Sequence, residues 1–378
     1  MAARKHDDEA MKEALTGRTL AEAAKMLEIH PRNLQRHKAR LARQGWSPEH
    51  GLSTQYPEGF KMGKVTIQRN AAGDIERTWE RMCEDQEKQL IAMQAAIEAM
   101  GEEIPRAVPS PFFGAVDSEL LNCFVITDYH MGMLSWHEET QVDWDLRKSE
   151  DLIVRWFAQA IQQAPEAETG LFAQISDFLH FDGMEALTPA SKHLLDVDTR
   201  FAKVVRSAIR VLRQIIDMLL AKHKHVHIIM ADANHDPVSQ IWLREWFAVL
   251  YEKEPRITVD RSPSPYNAYE FGKTALFFHH GHKRKVTNVS EVFAAQFREM
   301  FGRTKHAYAH LGHLHHVDVK ENNLMIVEQH RTLAPADAYA ARGGWLTGRD
   351  AKVITYHKQF GEVGRITVSP DMLKGEAA

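Results

Sequence analysis

The hydrophobic pattern of the chain changes character twice. Near the N-terminus, TLAEAAKMLEIH places Leu20, Ala23, Ala24 and Leu27 on one face at helical spacing. A break at residues 28–30 follows, and Pro31 suits the first turn of a second helix, PRNLQRHKARLAR, whose inner side is marked by Leu34 and Leu41. Further on, KVTIQRN and IERTWERM flank AAGD, which predicts a hairpin with its turn near Gly73. A helix is predicted from about Glu80 to Met100, where Leu90, Met93, Ile97 and Met100 recur at helical spacing; this face offers either a homodimer seam or a contact with the core.

From about Leu120 apolar runs alternate with amphipathic stretches. LLNCFVITDYH, GLFAQISDF and HVHIIMADANHD read as strands, with helices at 144–163, 199–223 and 238–251. The second half is richer in strands: TALFFHHGH, HAYAHLGHLHH, NLMIVEQH and AKVITYH. Such a pattern predicts an α/β (α+β) chain with stacked sheets and helices on their outer faces. GWSPEHGLSTQYPEG and EEIPRAVPSPFFG read as linkers. Three segments result: a helical domain at 1–50, a linker, hairpin and helix at 51–118, and a main domain at 119–378.

Composition supports this division. With roughly 150 residues per domain, 378 residues suggest two or three domains. The hydrophobic (44%) and charged (26%) fractions exclude a wholly disordered chain. No apolar run approaches the ~18 residues of a membrane span, and the first residues lack the apolar core of a signal peptide. A cytoplasmic protein with no membrane partner is expected. The net charge of −4 conceals a basic stretch, since residues 31–43 carry five Arg and Lys and no acid. Arg32, Arg36, Lys38, Arg40 and Arg43 make the second short helix the reading helix of a helix-turn-helix candidate, with DNA as its expected partner. A solvated basic helix in a small bundle has the same pattern.

Histidine is the compositional anomaly: 22 residues against 21 glycines. Only two cysteines are present, Cys83 and Cys123, which excludes a disulfide scaffold or a cysteine zinc finger. Metal chemistry would use imidazole and carboxylate. The strands end in such groups, in order: Asp128-Tyr129-His130, Asp177, Asn234-His235-Asp236, His279-His280-Gly281-His282, and Gly312-His313-Leu314-His315-His316. One such fragment arises by chance; five at successive strand ends are specific.

This ordered set resembles the calcineurin-like metallophosphoesterase superfamily, over roughly Leu120 to the C-terminus. The resemblance implies a two-layered β-sandwich flanked by helices, with two divalent metal ions at the strand ends. It implies that Asp128, His130 and His315 hold one metal, that Asp177 bridges both, and that Asn234, His280 and His313 complete the second site. His235 would act near the leaving group as general acid, with Asp236 orienting it. The donor types agree with the chemistry. Paired divalent cations clamp a phosphate and lower the pKa of a bridging water. Imidazole with carboxylate suits Mn, with Fe, Zn and Ni as alternatives. Two departures stand out: Ser176 and Ala233 occupy positions where the family has glycine, and a positive φ at either would be strained.

The metal centre implies phosphoester hydrolysis without naming the ester. A basic helix-turn-helix tethered to such a core concentrates DNA near it, so a DNA-directed phosphodiesterase or nuclease using a two-metal-activated hydroxide is the leading expectation. The arrangement also resembles phage- or prophage-encoded phosphoesterases. The alternatives are a phosphomonoesterase or nucleotidase acting on a small or protein substrate, and a non-catalytic DNA-binding regulator with a degenerate phosphatase fold. HKRK at 282–285 is a solvated loop or a hold on a polyanion, and Trp136 with His137 is a base-stacking or a core pair.

Overall fold

The structure, a computed structural model, describes residues 7–16, 18–43, 46, 60–70, 75–84, 107–189 and 192–373. The chain divides into two compact units, residues 1–91 and 92–378.

In the first unit, α1 (Asp8–Leu15), α2 (Leu20–Met26) and α3 (Pro31–Arg43) pack around Met11, Ala14, Leu15, Ala23, Ala24, Leu27, Leu34 and Leu41. Local chemistry sets the start of α2. Thr19 and Glu22 form a reciprocal capping box, satisfying two backbone donors that the first turn leaves without partners. Residues 27–30 then turn the chain into α3, with Glu28 at φ +50°. The expected hairpin is present, β1 (Phe60–Arg69) pairing antiparallel with β2 (Ile75–Glu84). The start of the helix expected from Glu80 is corrected, because Glu80 to Glu84 continue β2. The rest of that segment, the turn at Gly73 and most of the two expected linkers lie outside the described residues.

The second unit begins with irregular chain at 107–116 and then follows the expected alternation. β3 (Asp117–Ile126) leads through the short α4 (His137–Thr140) to α5 (Leu146–Gln163), β4 (Ala167–Gln174), α6 (Phe201–Lys222), β5 (His225–Met230), α7 (Pro237–Leu250) and β6 (Ile257–Val259). β7 (Asn267–Phe271) and β8 (Thr274–Phe278) precede α8 (Val289–Gln296) and α9 (Arg298–Arg303). β9 (His306–Leu311), β10 (Asp318–Glu321), β11 (Ile326–Gln329), α10 (Ala338–Gly343), β12 (Ala351–His357) and β13 (Gly361–Val368) complete it.

Two sheets result, a six-stranded one in the order β13-β12-β3-β4-β5-β6 and a five-stranded one in the order β10-β11-β9-β8-β7. Side chains alternate across each strand, so one strand serves two cores. On β3, Leu121, Cys123 and Val125 face the other sheet and, with Ile354 and Tyr356 of neighbouring β12, form one cluster with that sheet's Leu276 and Phe278. Phe124 and Ile126 face the opposite way, onto the helical layer that contains Trp156, Phe157, Val205, Leu212 and Phe247. A third cluster seats Val289 and Phe293 of α8 on the outer face of the five-stranded sheet, against Phe277, Leu311 and Val327. The two-layered β-sandwich flanked by helices is therefore present. No helix among the described residues is long and apolar enough to cross a membrane.

Parallel pairing of β3, β4 and β5 brings their carboxyl ends to one rim, and parallel β8 and β9 do the same in the second sheet. Loops leaving that rim carry the histidines and aspartates of the five motifs.

Candidate metal centre

The loop after β3 is sewn to the loop after β4. Asp128 N–H donates to Ser176 O at 3.0 Å and His130 N–H to Asp177 O at 3.0 Å. Asp128 is fully buried; its Oδ2 accepts from Thr127 Oγ1 (2.6 Å) and from His313 N–H (2.8 Å), and its Oδ1 lies 3.1 Å from His315 Nε2. Asp177 Oδ1 accepts from the N–H groups of Asn234 (3.0 Å) and His235 (2.9 Å), while Oδ2 lies 2.9 Å from His280 Nε2. His280 is oriented by Ile175 O against Nδ1 (2.9 Å), with Asn234 Oδ1 2.8 Å from Nε2. Asp128, Asp177 and His280 thus each have one atom fixed by the scaffold and another turned inward. That is the support a metal ligand needs.

Ligand atoms of Asp128, His130 and His315 lie within 4.8 Å of one another, as do those of Asp177, His280 and His313. The first group has the residues the resemblance implies for one metal; the second joins Asp177, implied as the bridge, to His280 and His313, and Asn234 enters through its Oδ1, 2.8 Å from His280 Nε2. Asp177 groups with the second trio only. Gly312 permits the closeness: a Cβ there would stand 1.8 Å from Thr127 Oγ1 and 2.5 Å from Asp128 Oδ2.

Electrostatics favour a cation between the clusters. Burial pushes the Asp128 carboxyl up, but His315 and His280 outweigh it and hold it well below the usual carboxylate range. Burial pulls His280 down, yet Asp177 and Asp128 overcome this and raise it to about 9. The two buried carboxylates therefore draw positive charge to this position. His130 Nε2 faces His315 Nε2 at 3.4 Å, and His130 Nδ1 is buried without a hydrogen-bond partner. Converging imidazoles beside buried carboxylates, with no thiolate, fit a divalent cation of the Mn, Fe or Zn type.

The backbone is strained at the same places. Asp128, His130, Ser176, Asp177, His313 and His315 all have positive φ, between 48° and 79°. Such conformations are costly for residues other than glycine and cluster at functional sites. Ser176, at +79°, occupies the strained position expected of it, whereas Ala233 has no positive φ.

His235 sits beside the first trio, its ring 4.6 Å from that of His130. Its orientation differs from the expectation. His235 Nδ1 lies 2.9 Å from His180 O, so that carbonyl, and not Asp236, aligns the ring. Asp236 is buried and accepts from Leu179 N–H (2.8 Å) and Gln240 Nε2 (2.6 Å), bracing the loop that carries Asp177. Burial, followed by the charge of Asp177, pushes its carboxyl well above the usual range.

One residue at the site escaped the sequence patterns. His180 is buried with neither ring nitrogen hydrogen-bonded, its ring 5.2 Å from His130 and 5.6 Å from His235, and these three rings form a further donor trio. Burial, then His235, lowers it to about 3. The available signal was its position three residues beyond Asp177. Nearby, His279 is buried against Tyr266 and bonded to Pro265 O, His282 packs beside His280, and His316 is exposed. Lys283 pairs with Asp232, leaving Arg284 and Lys285 exposed at the surface.

The basic residues of α3 separate into two groups. Arg32 and Arg36 are exposed. Arg40 instead binds Asp8 of α1 through both terminal nitrogens, Nη1 to Oδ2 at 2.9 Å and Nη2 to Oδ1. Lys38 is half-buried and engaged in contacts of its own, and the side chain of Arg43 lies outside the described residues.

No family model and no curated protein matches the chain. Among solved structures it is similar to a predicted phosphoesterase from Streptococcus pneumoniae TIGR4, at 9% identity and TM-score 0.30, over 67% of this chain and 91% of that one. It is also similar to zinc-complexed Vps29 from Entamoeba histolytica (10%, TM-score 0.27, 66% and 99%) and to an archaeal phosphodiesterase (14%, TM-score 0.30, 65% and 99%). At these scores the likenesses add nothing to the geometry of the site, which stands on its own distances.

Proposed function

We propose that the protein is a divalent-cation-dependent phosphoester hydrolase and that its substrate is the phosphodiester backbone of DNA. The observation that carries the first half is the convergence of Asp128, His130 and His315 with Asp177, His280 and His313 at one sheet rim, beside Asn234 and His235. Asp128, His130 and His315 would hold one cation, and Asn234, His280 and His313 a second, with Asp177 between them. Bound there, the cations supply charge for the phosphate oxygens and lower the pKa of water.

The remaining steps belong to the chain's own groups. Thr127 Oγ1 and the His313 N–H occupy one oxygen of Asp128, so its other oxygen alone is presented to the site. The N–H groups of Asn234 and His235 do the same for Asp177. With Nδ1–H donating to His180 O, His235 keeps Nε2 as its remaining nitrogen, and a protonated imidazole there can hand its proton to the departing oxygen. Asp236 holds no reacting group and steadies the loop beneath.

DNA as substrate draws support from Arg32 and Arg36, which α3 exposes in a stretch without acids. The test is manganese-dependent turnover of single- and double-stranded DNA, p-nitrophenyl phosphate and its bis-ester. DNA and the bis-ester should be cut. Turnover of the monoester alone would reverse the assignment in favour of a phosphomonoesterase. Asp177→Asn should lower kcat on the bis-ester, and His235→Ala kcat on DNA, whose departing alkoxide needs a proton, by roughly 100-fold or more; unchanged turnover in both would remove the centre.

A further inference from the structure

Three loops beyond the metal ligands are stitched together at the rim. Leu134 N–H donates to Asp196 O (3.0 Å), Ser135 Oγ to Ala336 O (3.0 Å), and Arg342 Nε to Glu139 Oε1 (2.8 Å). The third loop is anchored on the site itself, since Thr347 Oγ1 donates to His315 O at 2.8 Å and the charge of Asp337 acts on His315. These loops hold aromatic rings outward. Trp136 is 58% exposed, Tyr339 59% and Trp345 56%. Tyr339 lies between Trp345 (centroids 5.2 Å) and His193 (5.7 Å), making a short row of rings.

Trp345 is held by construction. α10 ends on Gly344 at φ +71°, with Gly344 N–H bonded to Ala341 O and Trp345 N–H to Ala340 O. The indole then lies on Gly343, where a Cβ would stand 2.8 Å from the ring. One side of the indole is seated on the backbone and more than half its surface remains open. Exposed apolar rings cost hydration, and a built row of them beside a functional site marks a contact surface. Flat π-faces next to a phosphodiester-cleaving centre match unpaired bases, which stack on aromatics with little regard to sequence. Paired bases keep their faces inside the duplex and would gain nothing here.

We propose that Trp136, Tyr339 and Trp345 form a stacking platform for unpaired bases of single-stranded DNA adjoining the scissile phosphate. The platform rests on the assignment of DNA as substrate and narrows it to single strands. The test compares kcat/KM, with manganese, for a single-stranded oligonucleotide and for the same strand made abasic around the cut. Trp345→Ala and Tyr339→Ala should each lower kcat/KM on the intact strand by roughly 5- to 100-fold, through KM. Neither should change turnover of the abasic strand, and Trp345→Phe and Tyr339→Phe should keep most of the wild-type value. Equal losses on both strands, or no loss on either, would overturn the platform while DNA cleavage stands. Wild-type protein that cuts neither strand would instead overturn the substrate assignment, and the platform with it. Sedimentation of the same variants guards against a second occupant: a dimer lost in Trp345→Ala would give the surface to another copy of the chain and overturn the proposal.

Discussion

At the scale of single residues, the centre trades backbone comfort for closeness. Ser176 holds φ +79° and donates its hydroxyl to Ala231 O at 3.0 Å. Ser176→Ala loses that bond, worth about 1 kcal/mol, and keeps the strain. Ser176→Gly loses the same bond but relieves about 1 kcal/mol or more of strain. Urea melts should therefore place the glycine variant above the alanine variant, and the reverse order would show that the backbone there is unstrained. Gly312 is the converse case. Its missing side chain lets the loop pass against Thr127 and Asp128, both buried and unable to retreat. Gly312→Ala should weaken manganese binding roughly tenfold or more by displacing a supported ligand, read by calorimetric titration in a chain that still melts cooperatively.

At the scale of elements, the sandwich interior holds a polar chain of its own. Tyr356 Oη lies 2.9 Å from His310 Nε2, His310 Nδ1 lies 2.9 Å from His330 Nε2, and Glu328 receives Lys352 and Arg365. Burial lowers His310 to about 4, with Glu328 opposing. A neutral buried imidazole contributes stability that is fully present above its unfolded pKa of about 6.5 and is lost as pH falls through about 4. The difference corresponds to about 3 kcal/mol, so stability should fall between pH 6.5 and 4, and His310→Gln should flatten that slope. A slope unchanged in the variant would locate the acid sensitivity elsewhere. The same sheets show what the chain's pattern reveals and conceals. The seven inner strands of the two sheets appear in the sequence as apolar runs, because both their faces are covered. The four strands absent from that reading, β6, β7, β10 and β13, are the sheet edges. β10 is Asp-Val-Lys-Glu and β13 carries Gly361, Glu362, Gly364 and Arg365, the charges and glycines by which edges avoid further pairing. The start of the helix expected from Glu80 differs for a related reason: Glu80 to Glu84 pair with β1, and the helical apolar spacing of Leu90, Met93, Ile97 and Met100 begins only beyond them. The candidate metal ligands were legible because chemistry dictates their type and strand ends dictate their place. His180 was not, since a lone histidine belongs to no repeat and only its place three residues beyond Asp177 marked it; of the outward rings Trp136 was legible beside the first motif, whereas Tyr339 and Trp345 lie far from any motif.

At the scale of the whole molecule, the net charge is −4 and the chain forms two compact units. A chain of that sign gains nothing from DNA on average, so any affinity must come from a local basic face. On α3, Arg40 is committed to Asp8, which leaves Arg32 and Arg36 as the exposed arginines of that helix among those with described side chains. Replacing both by alanine should weaken binding of single-stranded DNA similarly across sequences and make the slope of log K against log salt shallower by about 1.4, because each phosphate contact there contributes about 0.7. Hydrolysis of the bis-ester should be unaffected, as its residues belong to the other unit. Arg40→Ala should act differently: it removes the link between α1 and α3, costs that bundle up to about 1 kcal/mol, and leaves the salt slope intact. Binding titrations of the full chain from 50 to 200 mM salt separate the two outcomes. An unchanged slope in the Arg32, Arg36 double variant would take DNA away from α3, and with it the support that this helix lends to DNA as the substrate of the metal centre.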